Sequence, residues 1–342
     1  MIVEAIARLV EGESLSRDEA AASMDDIMED RATPAQFGAF VTALRIKGET
    51  PVEIAGMAEV MRRKAVRVPT DLPVVDTCGT GGDGSGTFNI STAAAFVVAA
   101  AGQPVAKHGN RSMTSQCGSA DVLEALGANI SLGPDAVARC IEETGFGFMF
   151  AQAYHPAMKF AAPLRREIGI RTVFNILGPL SNPAGARRQV LGAPSQPAQA
   201  RLAEALGLLG SERALVVHGS DGMDEVSVTG PSYVLDVNRG AVSESVIRPE
   251  QFGIAIAPAA ALKGGTAAEN AEIVRGVLGG QNGAPESGAR RDIVALNAGA
   301  ALVAAGVAPD MQTGVARALE ILQSGQALAR LDQFVKTSQA LA

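Results

Sequence analysis

The chain has 342 residues, of which 47% are hydrophobic, and its formal net charge is -7. This composition is typical of a folded protein of about two domains, and the acidic balance argues against a general nucleic-acid-binding protein. Cys78, Cys117 and Cys140 form no CxxC pair, which indicates a reducing compartment and no structural zinc site. The N-terminus lacks a signal-peptide pattern, and the most apolar run, AAAFVVAAAG, is too short to span a bilayer, so we expect a soluble cytoplasmic protein without a membrane segment.

Residues 1 to about 66 carry the signals of four short helices. The apolar residues recur at helical spacing in IVEAIARLV. Ser16 with Glu19, and Thr50 with Glu53, fit the pattern of a capping box at a helix N-terminus. The N-terminal region therefore predicts a small helical bundle.

From about residue 72 the pattern changes to short apolar strands such as PVVD, FGFMFA, QVLGA and RALVVHG, which alternate with alanine-rich helices. This alternation predicts an α/β domain with a central mixed or parallel sheet flanked by helices. We expect a helical domain over residues 1–70 and a larger α/β catalytic domain over residues 71–342.

The stretch DTCGTGGDGSGTFNIS joins the first strand to a helix. Gly79, Gly81 and Gly84 match G-x-G-x-x-G, but a dinucleotide site also needs an acidic residue at the end of the next strand. That strand ends in Lys107 and His108 instead, and no Lys-Ser/Thr pair closes a Walker loop. The remaining interpretation is an anion site made of backbone N–H groups and a helix N-terminus, with a simple strand-to-helix turn as the alternative.

Two further clusters follow predicted strands. KHGNRSMTS offers a point charge in Lys107 and a planar fork in Arg111, both suited to phosphate, although a solvated basic loop is the alternative. HGSDGMDEVS contains Asp224 and Glu225, which suit Mg²⁺ or form an ordinary acidic turn. Asp83, inside the glycine stretch, suits sugar hydroxyls, a cation or a turn. Together the clusters predict a polyphosphate ligand that carries Mg²⁺.

These motifs resemble the anthranilate phosphoribosyltransferase family over nearly the whole chain. The resemblance rests on GTGGD, NIST, KHGNR, GSADVLEALG, YHPAMK, RTVFNILGPLSNP and DGMDE. It implies transfer of the phosphoribosyl group of phosphoribosyl pyrophosphate (PRPP) to the amine of anthranilate, with release of pyrophosphate, in tryptophan biosynthesis. It also implies a homodimer that forms through the helical domain, which residues 163–180 would complete.

The resemblance implies a set of site residues by matching position. The residues implied to contact PRPP are Gly79, Gly82, Asp83, Thr87, Asn89, Ile90, Ser91, Thr92, Lys107, Asn110, Arg111, Ser112, Met113, Thr114, Ser115 and Ser119. Those implied to line the anthranilate site are Gly79, His108, Asn110, Tyr154 and Arg165. Two Mg²⁺ ions are expected per active site, with Ser91, Asp224 and Glu225 as ligands. His108 is a candidate for orienting the amine, with a structural histidine as the alternative.

Three further positions bear on the resemblance: Pro163, Cys117 and Gln152. Pro163 is expected to break or bend the helix that carries Arg165 and so aim this arginine at the cleft, while Arg166 stays on the surface. Cys117 stands where a small residue is common, and Gln152 replaces a frequent proline near the anthranilate entrance.

Two alternative functions stay open at this point. A pyrimidine nucleoside phosphorylase-like enzyme shares the architecture and a glycine loop but uses inorganic phosphate, and KHGNR with DGMDE argues against it. A non-catalytic, nucleic-acid-binding relative of the same fold would have lost these motifs and gained a basic surface.

Overall fold

The computed structural model describes residues 1–112, 116–280 and 286–342. The helices are α1 (Ile2–Val10), α2 (Arg17–Met28), α3 (Pro34–Lys47), α4 (Pro51–Lys64), α5 (Ile90–Ala100), α6 (Ser119–Ala125), α7 (Pro134–Thr144), α8 (Ala151–Tyr154), α9 (Met158–Ile168), α10 (Phe174–Leu177), α11 (Gln196–Leu208), α12 (Ala267–Leu278), α13 (Ser287–Ala305), α14 (Met311–Ser324) and α15 (Gln326–Ala340). The strands are β1 (Val75–Gly79), β2 (Val105–Gly109), β3 (Phe146–Phe150), β4 (Arg188–Gly192), β5 (Arg213–Gly219), β6 (Ser232–Asn238) and β7 (Ala241–Ile247). Within the described ranges, no helix combines the length and the apolar character needed to cross a bilayer.

The four predicted N-terminal helices are present as α1 to α4. At the start of α2, the Ser16 side chain accepts the N–H of Glu19, whose carboxylate accepts the N–H of Ser16 at 2.8 Å. Thr50 and Glu53 form the same reciprocal pair at the start of α4, at 2.7 Å for the Thr50 N–H. Gly48 ends α3 with φ 91°, a backbone conformation that favours glycine. Both predicted capping boxes are confirmed.

The seven strands form one sheet in the order β3-β2-β1-β4-β5-β6-β7. The first five in this order are parallel, and β6 and β7 are antiparallel to their neighbours. This mixed sheet, with helices packed on it, confirms the predicted α/β class. Because parallel strands end at the same edge, the segments that follow β1, β2, β4 and β5 meet at the carboxyl edge of the sheet.

Apolar side chains form two clusters on the two sides of the sheet. One contains residues of α5, α13, α14 and α15 together with β1 to β3. The other contains residues of α1 to α4 and α11, and it includes Ala161, Val173, Phe174 and Leu177 from the later segment. The packing of this later segment on α1 to α4 bears on the predicted domain division, which stays a prediction.

Helix α9 runs through Pro163 to Ile168, so this proline does not break the helix, and the alternative expectation of a bend stays a prediction. The helix starts with tight hydrogen bonds that run three residues back, from Met158 to His155 (2.9 Å) and from Lys159 to Pro156 (3.2 Å). Pro163 lies within two turns of this start, where the loss of one backbone donor interrupts few helical bonds.

Candidate active site

The glycine loop, residues 79–87, joins β1 to α5 at the carboxyl edge of the sheet. Gly81, Gly82, Gly84 and Gly86 have φ values between 63° and 73°, a region that side chains with a Cβ rarely occupy. Gly79 is required for a second reason, since a Cβ at this position would overlap the carboxylate of Asp224. The loop is thus shaped by its glycines and packed directly against the turn that follows β5.

Three carboxylates crowd together beside this loop. Asp224 accepts the N–H of Gly81 at 2.8 Å, and its pKa is raised to about 6 by removal from water and by the neighbouring Asp83. The pKa of Glu225 is raised well above its ordinary value, chiefly by removal from water and then by Asp224. Glu225 also accepts the backbone N–H of Ser91. Carboxylates held this close without full compensation favour a cation.

Lys107 lies in the interior, with 2% of its surface exposed, between β1 and α5. Its Nζ donates to the carbonyl oxygen of Thr77 and to Ser91 Oγ at 3.2 Å. Burial lowers the pKa of Lys107, and the carboxylate of Asp76 opposes this change. Lys107 and Ser91 therefore meet beside Glu225, as expected for residues of one site.

The N-terminus of α5 has Asn89 as its capping residue, but the Asn89 side chain does not cap the helix. Its Oδ1 accepts from Asn270 Nδ2 at 2.9 Å, and its Nδ2 donates to the carbonyl oxygen of Cys117 at 3.3 Å. The buried hydroxyl of Thr92 has no hydrogen-bond partner within the described part of the chain. The first N–H groups of α5 are thus left without this side-chain cap, which suits an anionic ligand.

The basic loop that follows β2, residues 110–115, is only partly described, because Met113, Thr114 and Ser115 lie outside the described residues. The Ser119 hydroxyl donates to the carbonyl oxygen of Asn110 at 3.4 Å. The Ser112 N–H donates to the carboxylate of Asp121 in α6 at 3.1 Å.

Arg111, in the same loop, is held by acidic side chains of α6. Its guanidinium donates to Asp121 and Glu124, each at 2.9 Å, and lies 5.5 Å from the ring centre of Phe150. The positive charge of Arg111 is therefore paired, and a phosphate would have to compete with these two carboxylates.

Two histidines pack together beside β2, with ring centres 5.0 Å apart. His108 Nδ1 lies 3.2 Å from the carbonyl oxygen of Gly178, and His155 interacts with the backbone of Ser181. Burial lowers the pKa of His108 to about 3 and that of His155 to about 4, so both are neutral near pH 7. Among the described residues neither Nε2 atom has a partner, which leaves two buried acceptors.

Tyr154 and Arg165, both expected on the anthranilate side, have different surroundings. Tyr154 is 1% exposed and its hydroxyl donates to the carbonyl oxygen of Leu132 at 2.9 Å. Arg165 is half-buried, its guanidinium lies 5.3 Å from the ring centre of Phe174, and burial lowers its pKa. Arg166 is exposed, as expected.

Sequence reasoning missed several residues that complete this edge. Arg171 donates to the carbonyl oxygen of Gly81 at 2.9 Å, and Asn270 binds the Asn89 side chain. The carboxylate of Asp76, buried in β1, accepts from Asn182 at 2.8 Å, and burial raises its pKa to about 6. These contacts join positions far apart in the sequence, so no local pattern could have found them.

Two family models match the chain. The α/β domain of the glycosyl transferase family matches residues 71–328, and the helical bundle domain of the same family matches residues 3–65.

Curated and solved relatives narrow this assignment. The anthranilate phosphoribosyltransferase of Chloroflexus aurantiacus is 57% identical over 339 residues, 99% of each chain. The crystal structure of the Thermus thermophilus anthranilate phosphoribosyltransferase has a TM-score of 0.91 at 46% identity and covers 98% of this chain and 99% of its own. The Saccharomyces cerevisiae enzyme in complex with PRPP and Mg has a TM-score of 0.88 at 26% identity, covering 99% and 98%. With full-length likeness in both sequence and fold, the chain belongs to the anthranilate phosphoribosyltransferase family and is a glycosyl-transferring enzyme.

Proposed function

We propose that the chain transfers the phosphoribosyl group of PRPP to the amine of anthranilate, giving N-(5-phosphoribosyl)anthranilate and pyrophosphate in tryptophan biosynthesis. The observation that carries the proposal is the meeting of the glycine loop, the N-terminus of α5 and the Asp224–Glu225 pair at one edge of the sheet. Backbone N–H groups and a helix N-terminus suit phosphates, and the carboxylates suit the cation that a pyrophosphate carries.

The donor site is formed by the glycine loop, the start of α5 and the basic loop. In our proposal its residues are Gly79, Gly82, Asp83, Thr87, Asn89, Ile90, Ser91, Thr92, Lys107, Asn110, Arg111, Ser112, Ser119 and, outside the described residues, Met113, Thr114 and Ser115. The unpartnered hydroxyl of Thr92 supports this placement, because a buried polar atom without a partner is costly until a ligand or water satisfies it.

The residues present fit Mg²⁺. The pKa values of Asp224 and Glu225 are raised by burial and then by neighbouring carboxylates, so a bound cation would favour their charged forms, and Ser91 lies beside Glu225. Mg²⁺ usually takes one or two carboxylates and keeps water and substrate oxygens as its other ligands, which the Asp224–Glu225 pair would allow. We infer two ions per site, held by Ser91, Asp224 and Glu225; when bound, they supply positive charge against the pyrophosphate.

The bond from the anomeric carbon to pyrophosphate breaks with positive charge building on the ribose and negative charge on the leaving group. The N–H groups of the glycine loop and of α5 are placed to stabilise the leaving charge in advance of the reaction. The amine of anthranilate is neutral and already nucleophilic. His108, with a pKa of about 3, is a poor base, so we assign it the role of accepting an amine N–H at Nε2 and orienting the amine.

The acceptor site is assigned to Gly79, His108, Asn110, Tyr154 and Arg165. The half-buried guanidinium of Arg165 suits the carboxylate of anthranilate, and the yeast relative has also been solved with 4-fluoroanthranilate. Because the hydroxyl of Tyr154 is bound to Leu132, we expect this residue to contribute its ring rather than its hydroxyl.

We further infer a homodimer that forms through the helical domain, which comprises residues 1–70 together with 163–180. Val3 and Val10 of α1 and Ile46 of α3 expose 56%, 68% and 81% of their surfaces, and because α1 packs on α3 we take these side chains as candidates for the contact. A cytoplasmic location fits an enzyme that uses these metabolites.

The deciding experiment mixes purified protein with PRPP, Mg²⁺ and anthranilate and follows the loss of anthranilate fluorescence. We expect consumption that requires all three components and produces one pyrophosphate per anthranilate. A parallel reaction with a pyrimidine nucleoside and inorganic phosphate tests the phosphorylase alternative. A folded protein that leaves anthranilate unchanged would contradict the proposal.

A further inference from the structure

Arg171 makes a contact to the glycine loop that none of the site assignments explains. It lies between α9 and α10, and its Nη2 donates to the carbonyl oxygen of Gly81 at 2.9 Å. Its Nη1 occupies the space where a Cβ of Gly82 would stand. The guanidinium therefore contacts the backbone of two consecutive glycines.

The two peptide groups that flank the Cα of Gly81 are held by different side chains. The N–H of Gly81 donates to Asp224 at 2.8 Å, while the carbonyl oxygen of the same residue accepts from Arg171. In a trans peptide the carbonyl oxygen and the next N–H point to opposite sides. By holding the Gly81 carbonyl, Arg171 turns the Gly82 N–H away from itself, and among the described residues no acceptor binds this N–H.

A loop rich in glycine has many backbone conformations to choose from, and an anion-binding N–H is useful only when it is fixed in advance. Steric contact supplies little restraint at Gly81 and Gly84, because a Cβ added at either position would meet no atom within 4 Å. Arg171 restrains the Gly81–Gly82 peptide through its carbonyl oxygen, and Asp224 restrains the preceding Thr80–Gly81 peptide through its N–H.

Arg171 precedes a segment that packs with the helical region. The residues that follow it, Val173, Phe174 and Leu177, belong to the apolar cluster of α1 to α4. The contact to Gly81 spans 90 residues and links this packed segment to the loop of the α/β domain. The orientation of the loop thus depends on a segment that packs with the helical region.

We propose that Arg171 is a positioning residue of the donor site, which orients the Gly82 N–H toward the pyrophosphate group of PRPP by holding the Gly81 carbonyl. This inference rests on the proposed function for the identity of the ligand. It assigns Arg171 no contact with either substrate, and it makes the glycine at position 82 necessary for the guanidinium as well as for the ligand.

The first test compares Arg171→Ala, Arg171→Lys and the exposed neighbour Arg166→Ala. We expect Arg171→Ala to raise the KM and the calorimetric Kd for PRPP about tenfold, because a charge-assisted hydrogen bond that orients the loop is lost. The KM for anthranilate should change less than about twofold, and lysine should recover part of the loss because it can donate one bond but not a fork. Arg166→Ala should match the wild type.

The second test is a double-mutant cycle. Gly82→Ala displaces the guanidinium, so its effect on PRPP affinity should be non-additive with that of Arg171→Ala. Gly84→Ala is the matched control: it has the same positive φ (73° against 71°) without atoms of Arg171 nearby, and it should combine additively.

Additive effects in the Gly82 cycle, or equal changes in both KM values, would overturn the inference. If Arg171→Ala does not fold, Arg171→Lys and the cycle built on it decide the question. Failure of the proposed function has a different signature, since the wild-type protein would then neither bind PRPP nor consume anthranilate.

Discussion

The buried charged groups of the helical bundle have hydrogen-bond partners, whereas those at the carboxyl edge of the sheet are only partly compensated. In the bundle, Glu53 is fully buried, and its carboxylate accepts the N–H groups of Leu15 (2.8 Å) and Thr50 (2.7 Å) and the ammonium of Lys47 (3.0 Å). Every oxygen of this carboxylate has a donor, as a stable buried charge requires.

At the carboxyl edge, by contrast, removal from water and then the neighbouring carboxylates raise the pKa of Asp224 and of Glu225. His108 and His155 keep buried nitrogen atoms without partners among the described residues. Such groups lower the stability of the free protein, and in our proposal they gain partners when ligands bind. In our proposal, the buried charge in the bundle stabilises the fold and the charge at the carboxyl edge binds a ligand, and substitutions in either region can test this difference.

The largest expected effect is on catalysis at the carboxylate pair. Replacing Asp224 by Asn and Glu225 by Gln should lower kcat by on the order of a thousandfold, because the site loses the charges that hold Mg²⁺ against pyrophosphate. Steady-state kinetics over a range of Mg²⁺ concentrations measures the loss. The same variant should be at least as stable as the wild type in metal-free buffer, since like charges have been removed from one place. Unchanged turnover with an unchanged Mg²⁺ dependence would refute the assignment.

The matching experiment in the bundle is Glu53→Ala, for which we expect the reverse pattern. Removing one partner of a buried, hydrogen-bonded ion pair costs about 3–5 kcal/mol of unfolding free energy, because Lys47 and two N–H groups lose their acceptor. Urea unfolding measures this loss. The enzyme that remains folded should keep a normal kcat. A stability close to that of the wild type would show that the bundle tolerates unpaired charge, and the comparison would then fail.

The same contrast explains which features the sequence predicts. The capping boxes Ser16–Glu19 and Thr50–Glu53 involve residues three apart, so the pattern and the contact are the same observation. Strands β1 to β5 were predictable for a similar reason, because an apolar run and the glycines that follow it lie next to each other in the sequence.

The chemistry of the site was predictable only as residue types, because the partners come from distant elements. The phosphate role predicted for Arg111 took no account of its ion pairs with Asp121 and Glu124, which depend on where α6 packs. In the same way, nothing near Tyr154 in the sequence indicates that Leu132 accepts its hydroxyl. Long-range packing, rather than propensity, decides these contacts.

An intermediate effect is expected at Arg165, whose half-buried charge has an aromatic neighbour but is reserved, in our assignment, for the carboxylate of anthranilate. Hydrogen bonds to charged groups contribute about 1.5–3 kcal/mol, so Arg165→Ala should raise the KM for anthranilate roughly tenfold to a hundredfold. The KM for PRPP should change little. Arg166→Ala, one residue along the same helix, is the control and should be near neutral. A defect confined to PRPP would remove Arg165 from the acceptor site.

The smallest effect concerns the pH dependence of stability. His155 has a pKa of about 4 in the fold, lowered by burial from 6.5, so the unfolded chain binds a proton that the folded chain does not between these values. This histidine therefore has no effect on the free energy of unfolding above about pH 6.5. Below that pH, the free energy of unfolding falls as the pH drops toward 4. Each pH unit in that window costs about 1.4 kcal/mol, or about 2 kcal/mol between pH 7 and pH 5.

The change His155→Asn removes this dependence while an amide can still donate toward the backbone of Ser181. We expect the difference in unfolding free energy between wild type and variant to shift by about 2 kcal/mol in favour of the variant between pH 7 and pH 5, measured by urea unfolding. His108, with a pKa lowered to about 3, adds a slope of the same sign, and Asp76, with a pKa raised to about 6, adds the opposite one, because its folded form keeps a proton that is lost as the pH rises through 6. Both residues stay in wild type and variant alike, but His155 also lowers the pKa of His108, so the comparison reports His155 together with its effect on His108. A difference that does not change with pH would mean that the imidazole gains a proton or a partner in the fold, and that this nitrogen is not held in reserve for a ligand.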